Sequence, residues 1–259
     1  MHRHRPFAVF LAVALALTGL AVPSASVALD GTERLPDIGM LAPKDFSIQS
    51  RPRGVRWLRF DSVVVNVGPG VLEVEGRGPA VGGRLGEVVQ LVETSDGGRL
   101  EVPTPAEMFY AGDGHDHWHV EDLQHWTLAS VNDRATPLRA GAKRGFCFWD
   151  NYRYGSTAPV YYYPTTTSAC EMRGDGTVPM GLSVGWGDEY PSSIAFQYID
   201  ITGLPNGDYV VTLEADLPTA GAPSGEFVEV NELNNTGWAV IRITRKGISV
   251  LSTGTDLAP

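Results

Sequence analysis

Residues 55–75 read VRWLRFDSVVVNVGPGVLEVE, and their pattern is the clearest indication of the fold class. The first half, Val55 to Val67, is rich in β-branched and aromatic residues, which favour strands. The turn residues Gly68-Pro69-Gly70 follow, and Val71 to Glu75 then alternates between apolar and polar residues. Alternation of this kind predicts a second short strand. Short strands separated by tight turns are typical of an all-β protein.

The rest of the chain repeats this pattern. Further strands are predicted at Val88 to Glu93, at Ile194 to Ile201, at Tyr209 to Leu213 after the turn Leu204 to Gly207, and at Trp238 to Ile243. The segment from His115 to Leu128 is expected to form a long strand pair or a bent strand. No window of a dozen residues has the 3.6-residue apolar period of a helix. The 30 glycines and 18 prolines therefore punctuate a single all-β, sandwich-like domain with long loops. We expect this domain to span residues 29–247, with a C-terminal tail at 248–259 and one extended loop at 151–181.

The N-terminus has the three-part pattern of a secretory signal peptide. Residues 2–5 are basic, Phe7 to Val22 is apolar, and Ser26-Val27-Ala28 offers small residues for cleavage. A membrane anchor is the alternative, but the apolar run is short for a span. We expect residues 1–28 to be a signal peptide, the protein to be secreted, and the mature chain to have no membrane span.

The net charge indicates which partners the protein can attract, and the cysteine content indicates a disulfide. Without Arg3 and Arg5 the mature chain has 18 basic and 30 acidic residues, a net charge of −12. This acidity makes nucleic acid an improbable partner, and it would attract amines. The 2 cysteines, Cys147 and Cys170, are expected to form a disulfide in an oxidising compartment.

The segment His115-Asp-His117-Trp-His119 predicts a transition-metal centre. Half of the 6 histidines lie here at alternate positions, so in a strand their imidazoles would share one face. Imidazole suits copper, zinc, iron and nickel, and three histidines with an open position are typical of a catalytic site. The outer pair would be about 13 Å apart in an ideal strand, so we expect the strand to bend or bulge there.

These segments together resemble the lysyl oxidase family from about Leu35 to Ile243. The matching blocks, in order, are Leu35-Pro-Asp37-Ile38, His115-Asp-His117-Trp-His119, Lys143-Arg-Gly-Phe-Cys147, Gly181-Leu-Ser with Asp188-Glu-Tyr190, Gln197-Tyr-Ile-Asp200-Ile-Thr, and Asn231-Glu-Leu-Asn234-Asn235. Each block alone is a weak signal, whereas their joint order is specific. The resemblance implies a copper-dependent amine oxidase that makes aldehyde, ammonia and hydrogen peroxide from primary amines and O2.

The resemblance also assigns residues. It implies copper at His115, His117 and His119, and a lysine tyrosylquinone cofactor built from Lys143 and Tyr190. Lys143 is one of only three lysines, and Asp188 is the candidate base because its parity could place it beside the Tyr190 ring. His125 is expected to be a packed or second-sphere histidine rather than a fourth ligand.

An oxygen-rich set from the two ends of the domain predicts structural calcium, since Ca²⁺ prefers carboxylate and carbonyl oxygens. The resemblance implies the ligands Asp37, Ile38 through its carbonyl, Glu229, Asn231, Asn234 and Asn235. The alternative for the asparagines is turn capping.

Two other functions stay open at this point. One is a non-catalytic metal-binding surface module, and the other is a zinc-dependent hydrolase with Glu121 as its base. The substrate of an oxidase could be a small primary amine or peptidyl lysine.

Overall fold

The structure, a computed structural model, describes residues 30–112, 114, 116–157, 161–162, 164–218, 222–223 and 225–257. The predicted signal peptide, residues 1–28, lies outside this range. The strands are β1 Glu33–Arg34, β2 Ile38–Met40, β3 Lys44–Ser50, β4 Arg56–Asn66, β5 Leu72–Arg77, β6 Arg84–Leu85, β7 Glu87–Thr94, β8 Arg99–Pro103, β9 Met108–Ala111, β10 His117–Glu121, β11 Gln124–Ser130, β12 Asp133–Ala140, β13 Gly145–Phe146, β14 Tyr152–Arg153, β15 Val178–Leu182, β16 Trp186–Tyr190, β17 Ile199–Asp200, β18 Gly207–Ala215, β19 Thr236–Thr244 and β20 Gly247–Thr255. A short 3₁₀ turn, Pro52–Gly54, and a one-turn helix, α1 Pro164–Thr167, are the helical elements of the described residues. The all-β prediction is confirmed.

The β-branched run of the opening segment forms the middle of the longest strand, β4. Strands β2, β3, β16 and β17 all pair with β4 in antiparallel fashion. Val63, Val64 and Val65 are buried, because neighbouring layers cover both faces of the strand at this point. This strand therefore carries β16, on which Asp188 and Tyr190 lie.

The histidine segment, expected to be a long strand pair or a bent strand, forms two strands that lie in different sheets. It divides into β10, in the sheet β13-β10-β9-β6, and β11, in the sheet β12-β11-β18-β19-β20. Between them Asp122 has a φ of 57°, a left-handed conformation that redirects the chain. The pairing of β10 with β9 is regular from His117 to Val120, so the expected bulge does not occur there. Instead the strand begins at His117, and His115 lies outside the described residues.

The C-terminal residues are part of the fold rather than a tail. Strand β20 pairs with β19 along its length, from Gly247 opposite Thr244 to Thr255 opposite Gly237. After the strand, Leu257 packs in a small cluster with Val63 and Val65. The sheet therefore continues beyond residue 247, where we expected the domain to end.

One strand expectation and one loop expectation also change. Ile194 to Ile201 alternates like a strand, but only β17 pairs, because the Arg59 guanidinium donates to the carbonyls of Ser192 and Ile194 and holds that segment as a loop. The stretch 151–181 contains β14, α1 and the start of β15, so it is only partly a loop.

One core joins the four sheets. Its buried members come from all of them and include Phe60 of β4, Met108 of β9, Leu128 of β11 and Val74 of β5. None of the helical segments in the described residues is long and apolar enough to cross a membrane.

Candidate active site

Strand β10 presents two of the predicted ligands on one face. His117 is half-buried and His119 is buried, and their Nε2 atoms lie 2.9 Å apart. Their shared face follows from the two-residue period of a strand, as the spacing predicts. When two ring nitrogens bind the same first-row metal ion at about 2.0–2.1 Å, with a right angle between the two bonds, the nitrogens are also about 2.9 Å apart. This pair of donors therefore fits a copper ion.

A glycine makes room for the buried imidazole. A Cβ on Gly145 would lie 2.7 Å from His119 Nδ1 and 2.5 Å from Phe109 Cζ, so the strand β13 can approach β10 only with glycine here. The Phe109 ring packs edge-on against the His119 ring at 5.7 Å between centroids. Gly145 and Phe109 together fix the orientation of His119.

Lys143 and Tyr190 are close together in the fold although they are far apart in sequence. The Lys143 Nζ lies 5.1 Å from the centroid of the Tyr190 ring and 5.3 Å from that of the Phe146 ring. Both Lys143 and Tyr190 are 7% exposed. A buried amine facing a buried phenol ring is the arrangement that a covalent link between the two side chains requires.

Asp188 lies beside this pair. Burial raises the pKa of the Asp188 carboxyl well above its ordinary value, while the neighbouring Tyr190 hydroxyl, the hydrogen bond from Asn151 and the charge of Lys143 oppose that rise. Burial, and then the Asp188 charge, also raise the pKa of the Tyr190 phenol. The phenol therefore keeps its proton at neutral pH, and it donates to the Cys147 carbonyl. A carboxyl with a raised pKa in a cleft is typical of a general acid or base.

These side chains line one cavity of about 340 Å³. Its lining consists of His117, His119, Lys143, Cys147, Trp149, Asn151, Asp188, Glu189, Tyr190, Pro191 and Ile194. Two smaller cavities also border Lys143, one with Phe109 and Phe196 and one with His125 and Asp122. Six residues were assigned to copper, the quinone and the base, and the five of them that the structure describes share this cavity: His117, His119, Lys143, Asp188 and Tyr190.

The disulfide connects the two sides of this cavity. Cys147 and Cys170 are bonded, as the cysteine count predicts. The Tyr190 hydroxyl donates a hydrogen bond to the Cys147 carbonyl. The backbone amide of Trp118, the residue between the two histidines, donates to the Cys170 carbonyl at 2.9 Å. The bridge therefore holds the histidine strand and the tyrosine strand in one unit.

Two other predicted residues lie away from the cavity. His125 is on β11, opposite Glu214 and in a different sheet from His117. Glu121 forms a 2.6 Å ion pair with Arg84, and this contact lowers the pKa of the Glu121 carboxyl. A carboxylate held in this way is a poor base for a metal-bound water, so the geometry does not favour the hydrolase.

The oxygen-rich set lies at another place in the fold. Asn234 donates to Asp37 at 2.8 Å, and Asn235 donates to Glu229 at 3.0 Å. Ile38, whose carbonyl the family pattern assigns to calcium, donates its amide to Glu229. Asn231 is exposed and accepts the Leu233 amide, which is turn capping.

Two carboxylates that the sequence reasoning missed complete this second cluster. Oxygens of Asp216, Glu229 and Glu232 lie within 4.8 Å of one another, about twice a Ca–O distance. Burial raises the pKa of Asp216 to about 6 and that of Glu232 to about 7. The Oδ1 atoms of Asn234 and Asn235 are buried without a hydrogen-bond partner. Crowded carboxyls and orphaned amide oxygens fit a hard cation.

Several cavity residues also escaped the sequence reasoning, namely Trp149, Asn151, Glu189, Pro191 and Ile194. Trp149 and Asn151 follow the block Lys143 to Cys147 by a few residues, and Glu189 lies between Asp188 and Tyr190. Proximity to those blocks was the available signal, but it does not say which side chains face the cavity.

Comparison with known proteins gives consistent matches. A family model described as lysyl oxidase matches residues 94–250. Lysyl oxidase homolog 2 from Homo sapiens and from Pongo abelii is 30% identical over 124 residues, which are 48% of this chain and 14% of each relative. Lysyl oxidase homolog 2A from Danio rerio is 31% identical over 97 residues, or 37% of this chain and 11% of the relative. The chain thus spans a small part of the length of these relatives.

Proposed function

Because the chain belongs to the lysyl oxidase family, we propose that it is a secreted copper- and quinone-dependent amine oxidase. The reaction consumes a primary amine R–CH₂–NH₂, O2 and water, and yields the aldehyde R–CHO, ammonia and hydrogen peroxide. The observation that carries the proposal is the single cavity shared by His117, His119, Lys143, Tyr190 and Asp188. A metal-binding module has no need for a buried lysine over a buried tyrosine ring.

Five residues named above would hold the two cofactors. His117 and His119 would bind copper together with His115, and Lys143 and Tyr190 would be joined as the lysine tyrosylquinone. These groups would supply electron transfer from the amine to O2. The protein itself supplies position, a dry environment and proton transfer.

The role we assign to Asp188 is proton abstraction at the carbon next to the amine. Its carboxylate lies in the cavity beside Tyr190 and is 3% exposed, so it would act on a substrate shielded from bulk water. Before the cross-link forms, Lys143 and the hydrogen-bond donors around Asp188 favour its charged form, which burial disfavours. Trp149 and Ile194 provide an apolar wall that excludes water from the reacting groups.

The proposed substrate is a primary amine, which includes the side-chain amine of peptidyl lysine. The net charge of −10 for the full sequence would attract cationic amines over long range. The disulfide is consistent with an extracellular site of action.

Copper should support hydrogen peroxide production by this protein, and zinc should not. The copper-loaded, aerated protein should release hydrogen peroxide from butylamine or benzylamine, whereas the zinc-loaded protein should release none, because zinc has no redox chemistry. A peroxidase-coupled assay measures this directly. Ester or peptide hydrolysis by the zinc form, with no peroxide from the copper form, would instead support the hydrolase.

We also propose structural calcium at the carboxylate cluster. Glu229, Asn234 and Asn235 would remain ligands, and Glu232 and Asp216 would join them because their oxygens lie in the same 4.8 Å group. Calcium would relieve the repulsion among these carboxyls and satisfy the two orphaned amide oxygens. The site joins β2 to the segment before β19 and does not enter the redox chemistry.

Calcium should therefore raise the melting temperature. At a concentration of about 100 Kd, binding to the native state alone stabilises by about 2.7 kcal/mol, or about 5–10 °C for a domain of this size. Copper-free protein melted with calcium and with chelator measures the difference. Glu229→Gln should lose the calcium response, and the exposed Glu171→Gln should keep it. Equal melting temperatures for the parent in both buffers would count against the site.

A further inference from the structure

We infer that Asn151 is a positioning residue for the proposed reaction: its side-chain amide holds the Asp188 carboxylate in place beside Tyr190. This inference rests on the proposed function and extends it to a residue outside the family blocks that the sequence displays. It starts from the contacts that Asn151 makes along the edge of β16.

The orientation of the Asn151 amide is determined by its neighbours. The Glu189 backbone N–H can only donate, and it donates to Asn151 Oδ1 at 2.6 Å. The Nδ2 group must then face the other way, and it donates to Asp188 Oδ1. An asparagine side chain can accept a hydrogen bond from the strand backbone and donate another to the carboxylate at the same time, whereas an ionised aspartate can only accept.

The backbone holds Asn151 where this contact can form. Its amide donates to the Gly187 carbonyl at 3.1 Å, so residue 151 is attached to β16 next to Asp188. The preceding residue, Asp150, is 1% exposed and accepts from the amides of Tyr161, Tyr162 and Ser183. Asn151 is thus fixed before substrate arrives, with its outer side exposed at the mouth of the cavity.

The electrostatic consequence is specific. Burial works against the Asp188 charge. Before the cross-link forms, the groups that face Asp188 are the Lys143 ammonium, the Tyr190 phenol and, across the cavity, the two histidines. Once Lys143 and Tyr190 are joined, that ammonium charge is lost and the Asn151 donor remains. Glu189 is engaged by Lys44 in a 2.6 Å ion pair. The Asn151 amide favours the charged carboxylate, which is the form that can accept a proton from the substrate.

Two substitutions of nearly the same shape together test this donor. Asn151→Asp keeps the acceptor for Glu189 but replaces the donor to Asp188 by a negative charge, and Asn151→Leu removes both the donor and the acceptor without adding charge. Both should raise the pKa of Asp188, so that less carboxylate is present at a given pH. The acidic limb of kcat/KM should move to higher pH, with a loss of about tenfold at pH 7 that diminishes as the pH rises. A purely structural role would lower kcat/KM equally at all pH values.

A second readout does not require an active enzyme. Protein produced without copper and labelled with ¹³C-aspartate allows the Asp188 carboxyl to be titrated by NMR, with Asp188→Asn providing the assignment. We expect the midpoint to move to higher pH in Asn151→Asp and Asn151→Leu, and to stay unchanged in the exposed controls Asn132→Asp and Asn132→Leu. An unchanged midpoint in both Asn151 variants would overturn the inference whatever the activity. Absence of peroxide from the copper-loaded parent would overturn the proposed function separately.

Discussion

Lys143→Arg is expected to reduce hydrogen peroxide production from primary amines to the background level while the protein still folds and retains copper. The lysine Nζ lies 5.1 Å from the Tyr190 ring centroid, and a neutral amine there could add to the oxidised ring. Arginine keeps the positive charge but stays protonated, so it cannot form this bond. The three cavities that border Lys143 leave room for the larger side chain.

Phenylhydrazine labelling adds a structural measurement to this prediction. The reagent should derivatise the cross-linked Tyr190 peptide of the parent and leave the corresponding peptide of Lys143→Arg unlabelled. Lys246→Arg is the matched control, because Lys246 is exposed at the turn between β19 and β20 and should behave as the parent does. Parent-level peroxide from Lys143→Arg would refute the assigned role of Lys143.

His117→Ala should have the largest effect on copper. The 2.9 Å separation of the His117 and His119 Nε2 atoms fits two ligands of one ion, so removing His117 removes a bond to copper. Loss of an outer-sphere partner alone costs about 10- to 100-fold in metal affinity, and loss of a ligand should cost more than about 100-fold. Copper per chain after dialysis, measured by elemental analysis, gives the result.

The same substitution at His125 provides the control for copper retention. His125 lies on β11 in another sheet, so His125→Ala should keep its copper. His117 is the better test than His119, because His119 is buried and its replacement would also leave a space in the core. A His117→Ala protein with one copper per chain that still oxidises amines is incompatible with the proposed centre.

The sequence predicts the parts of the fold that depend on local patterns. The β-branched run of β4 and the alternate histidines of β10 both follow from strand periodicity, which is a property of neighbouring residues. The alternation of Ile194 to Ile201 was misleading, because the guanidinium of Arg59, which is distant in sequence, donates hydrogen bonds to backbone carbonyls of this region that a strand would use for pairing. Residues 248–255 lack a strong pattern and pair only because β19 offers an open edge.

In the candidate site, too, some features follow from local sequence patterns and others depend on contacts between distant parts of the chain. Spacing alone brings His117 and His119 together, whereas the meeting of Lys143 and Tyr190 was expected only from the family resemblance. The contact of Asn151 with Asp188 depends on the pairing of β14 with β16, which no local pattern reveals. Asp216 joins Glu229 and Glu232 for a similar reason, since it directly follows β18, which ends at Ala215, in a different part of the chain.

The central claim is that Lys143 and Tyr190 become covalently joined, and a peptide map of the mature protein tests it most directly. Protein loaded with copper in air should yield one cross-linked species that contains both the Lys143 and the Tyr190 peptides, together with quinone absorbance. The same species should be absent from protein prepared without copper and from Lys143→Arg. Unmodified Lys143 and Tyr190 peptides in fully copper-loaded, aerated protein would contradict the oxidase and leave a metal-binding module.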